Sequence, residues 1–180
     1  MYISSLDNIG KYILQKQPTG LIVDTNILLL FLIGSYNPIF IKDCALVSQY
    51  SVEDFELLKK VFERFQNRKI IITPQIIAEV SNLSMTKMYG DKLHYCFQVF
   101  IRFLRTAEEH HQKSDCLWGM ELQVLGKYGF TDLTIFELAK NNHMIILTDE
   151  EDFFNYSYTK GVPVMKFSHF KYEKYQSILT

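Results

Sequence analysis

Asp24 stands between two apolar runs, LIV before it and ILLLFLI after the intervening Thr25 and Asn26. A carboxylate there is costly among its neighbours unless it is hydrogen-bonded or holds a metal ion. Further acids occur in comparable settings: Glu79 early in PQIIAEV, Asp132 directly after Thr131, and the run Asp149, Glu150, Glu151 and Asp152 that closes MIILT. Taken singly, each has a plain structural explanation. Helix N-termini favour acidic side chains, so Asp132 serves equally as a cap, and the 149–152 run serves equally as a solvated turn. Together they describe a cluster of hard oxygen donors, which suits Mg²⁺ or Mn²⁺. Zinc asks instead for His and Cys at ligand spacing, whereas His110 and His111 are adjacent and point to different parts of a surface.

The segments around these acids read as strands and helices in alternation. Residues 20–24 (GLIVD), 69–73 (KIIIT) and 144–148 (MIILT) are short branched runs of the kind buried on both faces of a parallel sheet, and 161–167 (GVPVMKF) adds a last one. Between them, 27–33 is apolar and helix-forming. Residues 51–65 are amphipathic, with a capping-box start at Ser51 and Asp54. Pro74 opens a helix that carries Glu79, and 132–140 is another, preceded by a helical piece near 117–125 that stops at Gly126 and Gly129. A long aromatic helix over 91–111 shows Phe97, Phe100, Ile101, Phe103 and Leu104, more apolar surface than one packing stripe needs. Another chain, or the rest of this one, must cover it. The pattern predicts an α/β fold with a mainly parallel sheet, in which ligands collect outside the carboxyl ends of the strands. Asp24 and Asp149 are put at that edge by strand direction alone.

Composition narrows the field. A chain of 180 residues with 48% hydrophobic and 22% charged content can bury a core as one globular domain, without disulfides. The three cysteines, Cys44, Cys96 and Cys116, are odd in number and never form C-x-x-C, which fits a reducing cytoplasm. The first residues lack a basic stretch followed by an apolar one, and Asp24 and Asn26 interrupt the most apolar stretch, so neither secretion nor membrane insertion is expected. A net charge of −1 gives no global attraction to nucleic acid, unless acids concentrated in a metal site leave the remaining surface more positive.

In order and context, LIVDTN, TPQIIAEV, GFTDLTIFELAKNNHMIILT and TDEEDF resemble the PIN domain family, over residues 20–167. The resemblance implies a Rossmann-like three-layer α/β/α sandwich, a Mg²⁺ or Mn²⁺ site and ribonuclease activity directed at single strands. Many members are toxins held by a cognate antitoxin, and many form homodimers. Asp24, Glu79 and Asp132 match the family's first three acidic positions. The fourth is open: counting forward from Thr148 favours Asp149 or Glu150, and counting back from Phe153 favours Glu150 and Asp152. Asp149, which directly follows the strand, is placed first. The implied reaction is phosphodiester hydrolysis at a metal held by Asp24, Asp132 and Asp149, with Glu79 holding it through a water or orienting the nucleophile. Asn26 and Thr148 would give neutral hydrogen bonds to phosphate or carboxylates. Lys59, Lys60 and Arg64, with Arg68 and Lys69, would hold the RNA backbone, unless they form a solvated helix face. Extra length at 35–69 and 83–128, read as helical insertions into a single domain over 1–180, sets the chain apart from the compact toxins.

Two rival functions accompany this reading. One is a PIN-like module that binds RNA or protein without cleaving. The other is a phosphatase or phosphotransferase using Asp24 as a covalent nucleophile, which ranks lower because Asn26 stands where a second acid would donate the proton.

Overall fold

The structure, a computed structural model, describes residues 5–176, with side chains as far as Lys171. Five strands, β1 (Gly20–Val23), β2 (Lys69–Ile72), β3 (Glu108–Glu109), β4 (Ile145–Thr148) and β5 (Val164–Lys166), form one sheet in the order β3-β2-β1-β4-β5. Every pairing is parallel. β1 and β4 are buried along their whole length, as their unbroken branched sequences require.

Among the described residues eight helices surround the sheet: α1 (Leu6–Lys16), α2 (Thr25–Tyr36), α3 (Val52–Arg64), α4 (Pro74–Lys87), α5 (Asp91–Leu104), α6 (Leu122–Asn142), α7 (Glu151–Thr159) and α8 (Phe167–Gln176). The chain steps from β1 to β2 to β3 in one direction, then crosses back to β4 and continues to β5. Right-handed crossovers therefore put α2–α5 on one face and α6 and α7 on the other, giving a three-layer Rossmann-like sandwich. The packing agrees: α2 meets α3, α4 and α5, while α6 meets β4 and α7. Among the described residues no helix is long and apolar enough to cross a membrane.

Several boundaries differ from the sequence expectation. The aromatic helix ends at Leu104, not near 111, because the chain turns there and Glu108 and Glu109 join the sheet beside Ile71 and Ile72. Its apolar surface is covered largely from within the chain: Phe100 and Phe103 are buried, Phe103 lies 5.7 Å from the Phe31 ring of α2, and Tyr95 stacks on Tyr36 at 5.6 Å. Ile101 and Tyr95 stay about half exposed. Residues 114–117 form a 3-10 turn, and the two helical pieces expected around Gly126 and Gly129 are one element broken at Gly129, whose φ of 73° and ψ of 179° are not helical. The positive φ is what makes glycine the suitable residue at the break. Helix α1 has no counterpart in the sequence reading.

Candidate active site

The strand order reverses between β1 and β4, and the crevice outside their carboxyl ends is where an open parallel sheet offers a binding site. The register pairs Val23 with Leu147, so the next residues, Asp24 and Thr148, stand side by side. The Thr148 hydroxyl donates to Asp24 Oδ2 at 2.7 Å, the Thr25 backbone amide donates to Asp24 Oδ1 at 2.6 Å, and Thr148 in turn accepts from the Glu150 amide at 3.1 Å. Asp24 is thus satisfied in a position only 3% exposed. Thr148 is wholly buried, which makes this hydroxyl a fixed link between β1 and the turn after β4.

Two further contacts draw acids toward Asp24. The Thr25 hydroxyl donates to Glu79 Oε2 at 2.8 Å, joining the first turn of α2 to α4. The Asn26 side-chain amide donates to Glu150 Oε1 at 2.9 Å, joining α2 to the start of α7. Asp132 comes from the other face. The break at Gly129 restarts α6, which sets Asp132 in a first helical turn. Its carboxylate makes no hydrogen bond or ion pair among the described residues.

The electrostatics follow from this crowding. Burial is the main reason the Asp24 carboxyl is pushed up to about 7, with the charges of Glu150 and Glu79 adding to it against the hydrogen bonds from Thr148 and Thr25. Burial likewise raises Asp132, to about 8, helped by repulsion from Asp24, Glu150 and Glu79. Glu150 is also raised, by burial first and then by Glu79. These mutual effects define one group of four: Asp24, Glu79, Asp132 and Glu150. Three of them stand at helix N-termini, Asp24 and Glu150 as the capping residues of α2 and α7, where the macrodipole offsets part of the repulsion. Among the described residues no three acidic, imidazole or thiol groups are gathered as a ready-made metal cage.

Of the three residues open for the fourth acid, the structure brings Glu150 to the group. Asp149 turns away from the group: its Oδ1 accepts the Ser168 amide at 2.7 Å at the start of α8, and the Tyr50 phenol lies against it. Asp152 also faces elsewhere, paired with Lys127 at 3.2 Å, and Glu151 is paired with Lys166. Glu150 occupies the place, because the residue after Asp149 is the one that caps α7 toward the crevice. The basic residues of α3 are not brought to this crevice. Lys60 and Arg64 sit on the last turns of α3, which lead into the beginning of β2, so they lie toward the opposite edge of the sheet from the acids. Arg64 faces Asp7 of α1 at 3.8 Å and Lys59 pairs with Glu56 at 2.7 Å. Thr25, the link to Glu79, was legible only as part of LIVDTN; a hydroxyl beside an N-capping acid is its signal.

Fold and crevice together define a Rossmann-like α/β protein with four carboxylates at its topological switch point. No family model, no curated protein and no solved structure matches the chain.

Proposed function

We propose that the chain is a divalent-metal-dependent nuclease that hydrolyses phosphodiester bonds in single-stranded RNA, in the manner of the PIN domain family it resembles. The observation that carries this reading is the convergence of Asp24, Glu79, Asp132 and Glu150 at the switch point, where each of Asp24 and Asp132 is pushed toward protonation by burial and by the others. Among the described residues these four oxygen donors form no ion pair and Asp132 has no hydrogen bond; they are of the hard type that Mg²⁺ or Mn²⁺ takes, although they are not drawn together as a cage without the ion. Asp24, Asp132 and Glu150 would hold it, with Glu79 behind them through a water. Such an ion, when bound, polarises a phosphate and lowers the pKa of an attacking water. The chain's own contribution is positioning: Thr148 fixes Asp24, Thr25 fixes Glu79 and Asn26 fixes Glu150. The N-termini of α2 and α7 add a field that favours an anionic phosphate in the crevice.

Covalent catalysis by Asp24 fits less well. Both of its oxygens are engaged, it is almost fully buried, and Asn26 is bound to Glu150. The test is incubation of the purified protein with single-stranded RNA, single-stranded DNA and duplex, with Mg²⁺, with Mn²⁺ and with chelator. Metal-dependent cleavage of single-stranded RNA that falls to background in Asp24→Asn, with the fold kept by circular dichroism, is expected. Binding without cleavage in any metal would identify a non-catalytic module instead. The finer assignment, a toxin with an antitoxin partner, predicts growth arrest on expression that Asp24→Asn relieves.

A further inference from the structure

Near the acidic group, the segment after β3 and the first turn of α4 line an open, shallow cleft of about 420 Å³. Its walls include Gln75, His111, Lys113, Asp115 and Trp118. Trp118 is the chain's single tryptophan and is 82% exposed, so a large aromatic face is left in water at the mouth of a cavity. Gln75 Oε1 is shut off from solvent with no hydrogen-bond partner among the described residues, although buried acceptors are ordinarily satisfied. Lys113 is exposed and makes no ion pair among the described residues. A stacking face, an unmet acceptor and a free cation thus line one cavity of small-ligand size.

Two elements tie this cleft to the acids. Gln75 and Glu79 are four residues apart on α4 and so share a face of that helix. The 3-10 turn Ser114–Leu117 packs on α6, the helix that carries Asp132. We propose that the cleft takes an unpaired nucleobase bearing an exocyclic amino group, from the single-stranded nucleic acid whose phosphodiester lies at the four carboxylates. The substrate class rests on the nuclease reading; the shape and chemistry of the cleft do not. Trp118 stacks the base, which only an unpaired base permits. On binding, the Gln75 amide turns so that its oxygen, shut off from water in the free cleft, joins the Asp115 carboxylate in accepting from the amino group of adenine, cytosine or guanine, where uracil presents a carbonyl oxygen and meets repulsion. Lys113 meets the adjoining phosphate. A polypeptide helix is a poorer occupant, because it needs a long apolar groove and this cleft is polar around one aromatic ring.

The single tryptophan makes the test direct. In chelator, so that nothing is cleaved, Trp118 emission is followed while oligo(A), oligo(C), oligo(U) and a duplex are added. Quenching by oligo(A) and oligo(C), several-fold weaker binding of oligo(U) and no effect of duplex are expected. In Gln75→Leu the preference over oligo(U) disappears while quenching remains. In Trp118→Ala, binding followed by fluorescence anisotropy of labelled oligo(A) weakens roughly tenfold or more, the usual worth of one stacked base. Quenching with these preferences but without cleavage in any metal supports the cleft and sinks the nuclease reading. Metal-dependent cleavage with Trp118 emission unmoved by any single strand overturns the cleft while leaving the nuclease.

Discussion

Asp24 and Asp132 carry charges that the folded protein resists. Their ordinary value is 3.8, and in the fold they lie at about 7 and about 8. A carboxyl raised by folding holds its proton more tightly in the native state. Its contribution to stability is then fully present below pH 4 and is lost as pH rises through 7 to 8. Without divalent ions the melting temperature should therefore fall between pH 5 and pH 8, and Mg²⁺ or Mn²⁺ should restore it at pH 8 with little effect at pH 5, because the ion competes with those protons. Asp24→Asn should flatten the metal-free profile. A melting temperature that rises over this range in chelator would show that these acids are not under strain. A second residue-level outcome separates the neighbours after β4. Glu150→Gln should weaken the metal dependence of cleavage strongly, whereas Asp152→Asn, which loses a surface pair with Lys127 and the smallest of the influences on Glu150, should leave it nearly unchanged. Asp149→Asn should lower stability by about 1–2 kcal/mol through its bond to the Ser168 amide, with the metal titration little moved. The sequence put all three acids in contention, and the one-residue choice among them lay in how the turn after β4 rotates into α7.

At the scale of elements, the helices on one face are held by aromatic contacts that composition announces but cannot pair. Phe103 sits 8% exposed against Phe31, so Phe103→Ala should cost about 3–5 kcal/mol and appear as a lower unfolding midpoint, with no change in light scattering. A change in molecular mass with stability intact would return that surface to an intermolecular role. Helix α2 packs against the Phe55 ring of α3 at Gly34, where an added Cβ would lie 2.4 Å from that ring. Gly34→Ala should destabilise by about 1–3 kcal/mol although alanine is the better helix former, and denaturant unfolding decides the sign. Elements with strong periodicity or branched runs were legible within a residue or two: α3 from its capping box, the start of α4 from Pro74, and β1, β2 and β4 from their apolar strings. β3 was not, since Glu108 and Glu109 carry no strand signature and are recruited by pairing with β2 at the sheet edge. Nor was α1, an amphipathic helix capped by Ser5.

Over the whole molecule, the four clustered acids and the basic residues Lys60 and Arg64 of α3 lie toward opposite ends of the strands. The acids gather where the strands end, and Lys60 and Arg64 lie toward where they begin. Substituting both by Ala should leave cleavage and its salt dependence unchanged, whereas Lys113→Ala should weaken oligonucleotide binding and reduce the slope of log affinity against log salt by about 1. A slope altered by the α3 pair and not by Lys113 would place the nucleic acid along the other edge. The sequence by itself determined the α/β class, the parallel strands and the acids that could serve, because buried parallel strands need unbroken apolar runs and each ends where its chemistry is written. Tertiary structure alone decided which acids meet. Strand order brings β1 beside β4, register sets Asp24 against Thr148, and the break at Gly129 aims Asp132 from the opposite face. These are relations between segments as much as 124 residues apart, as in the Thr148–Asp24 bond, and local propensity carries no record of them.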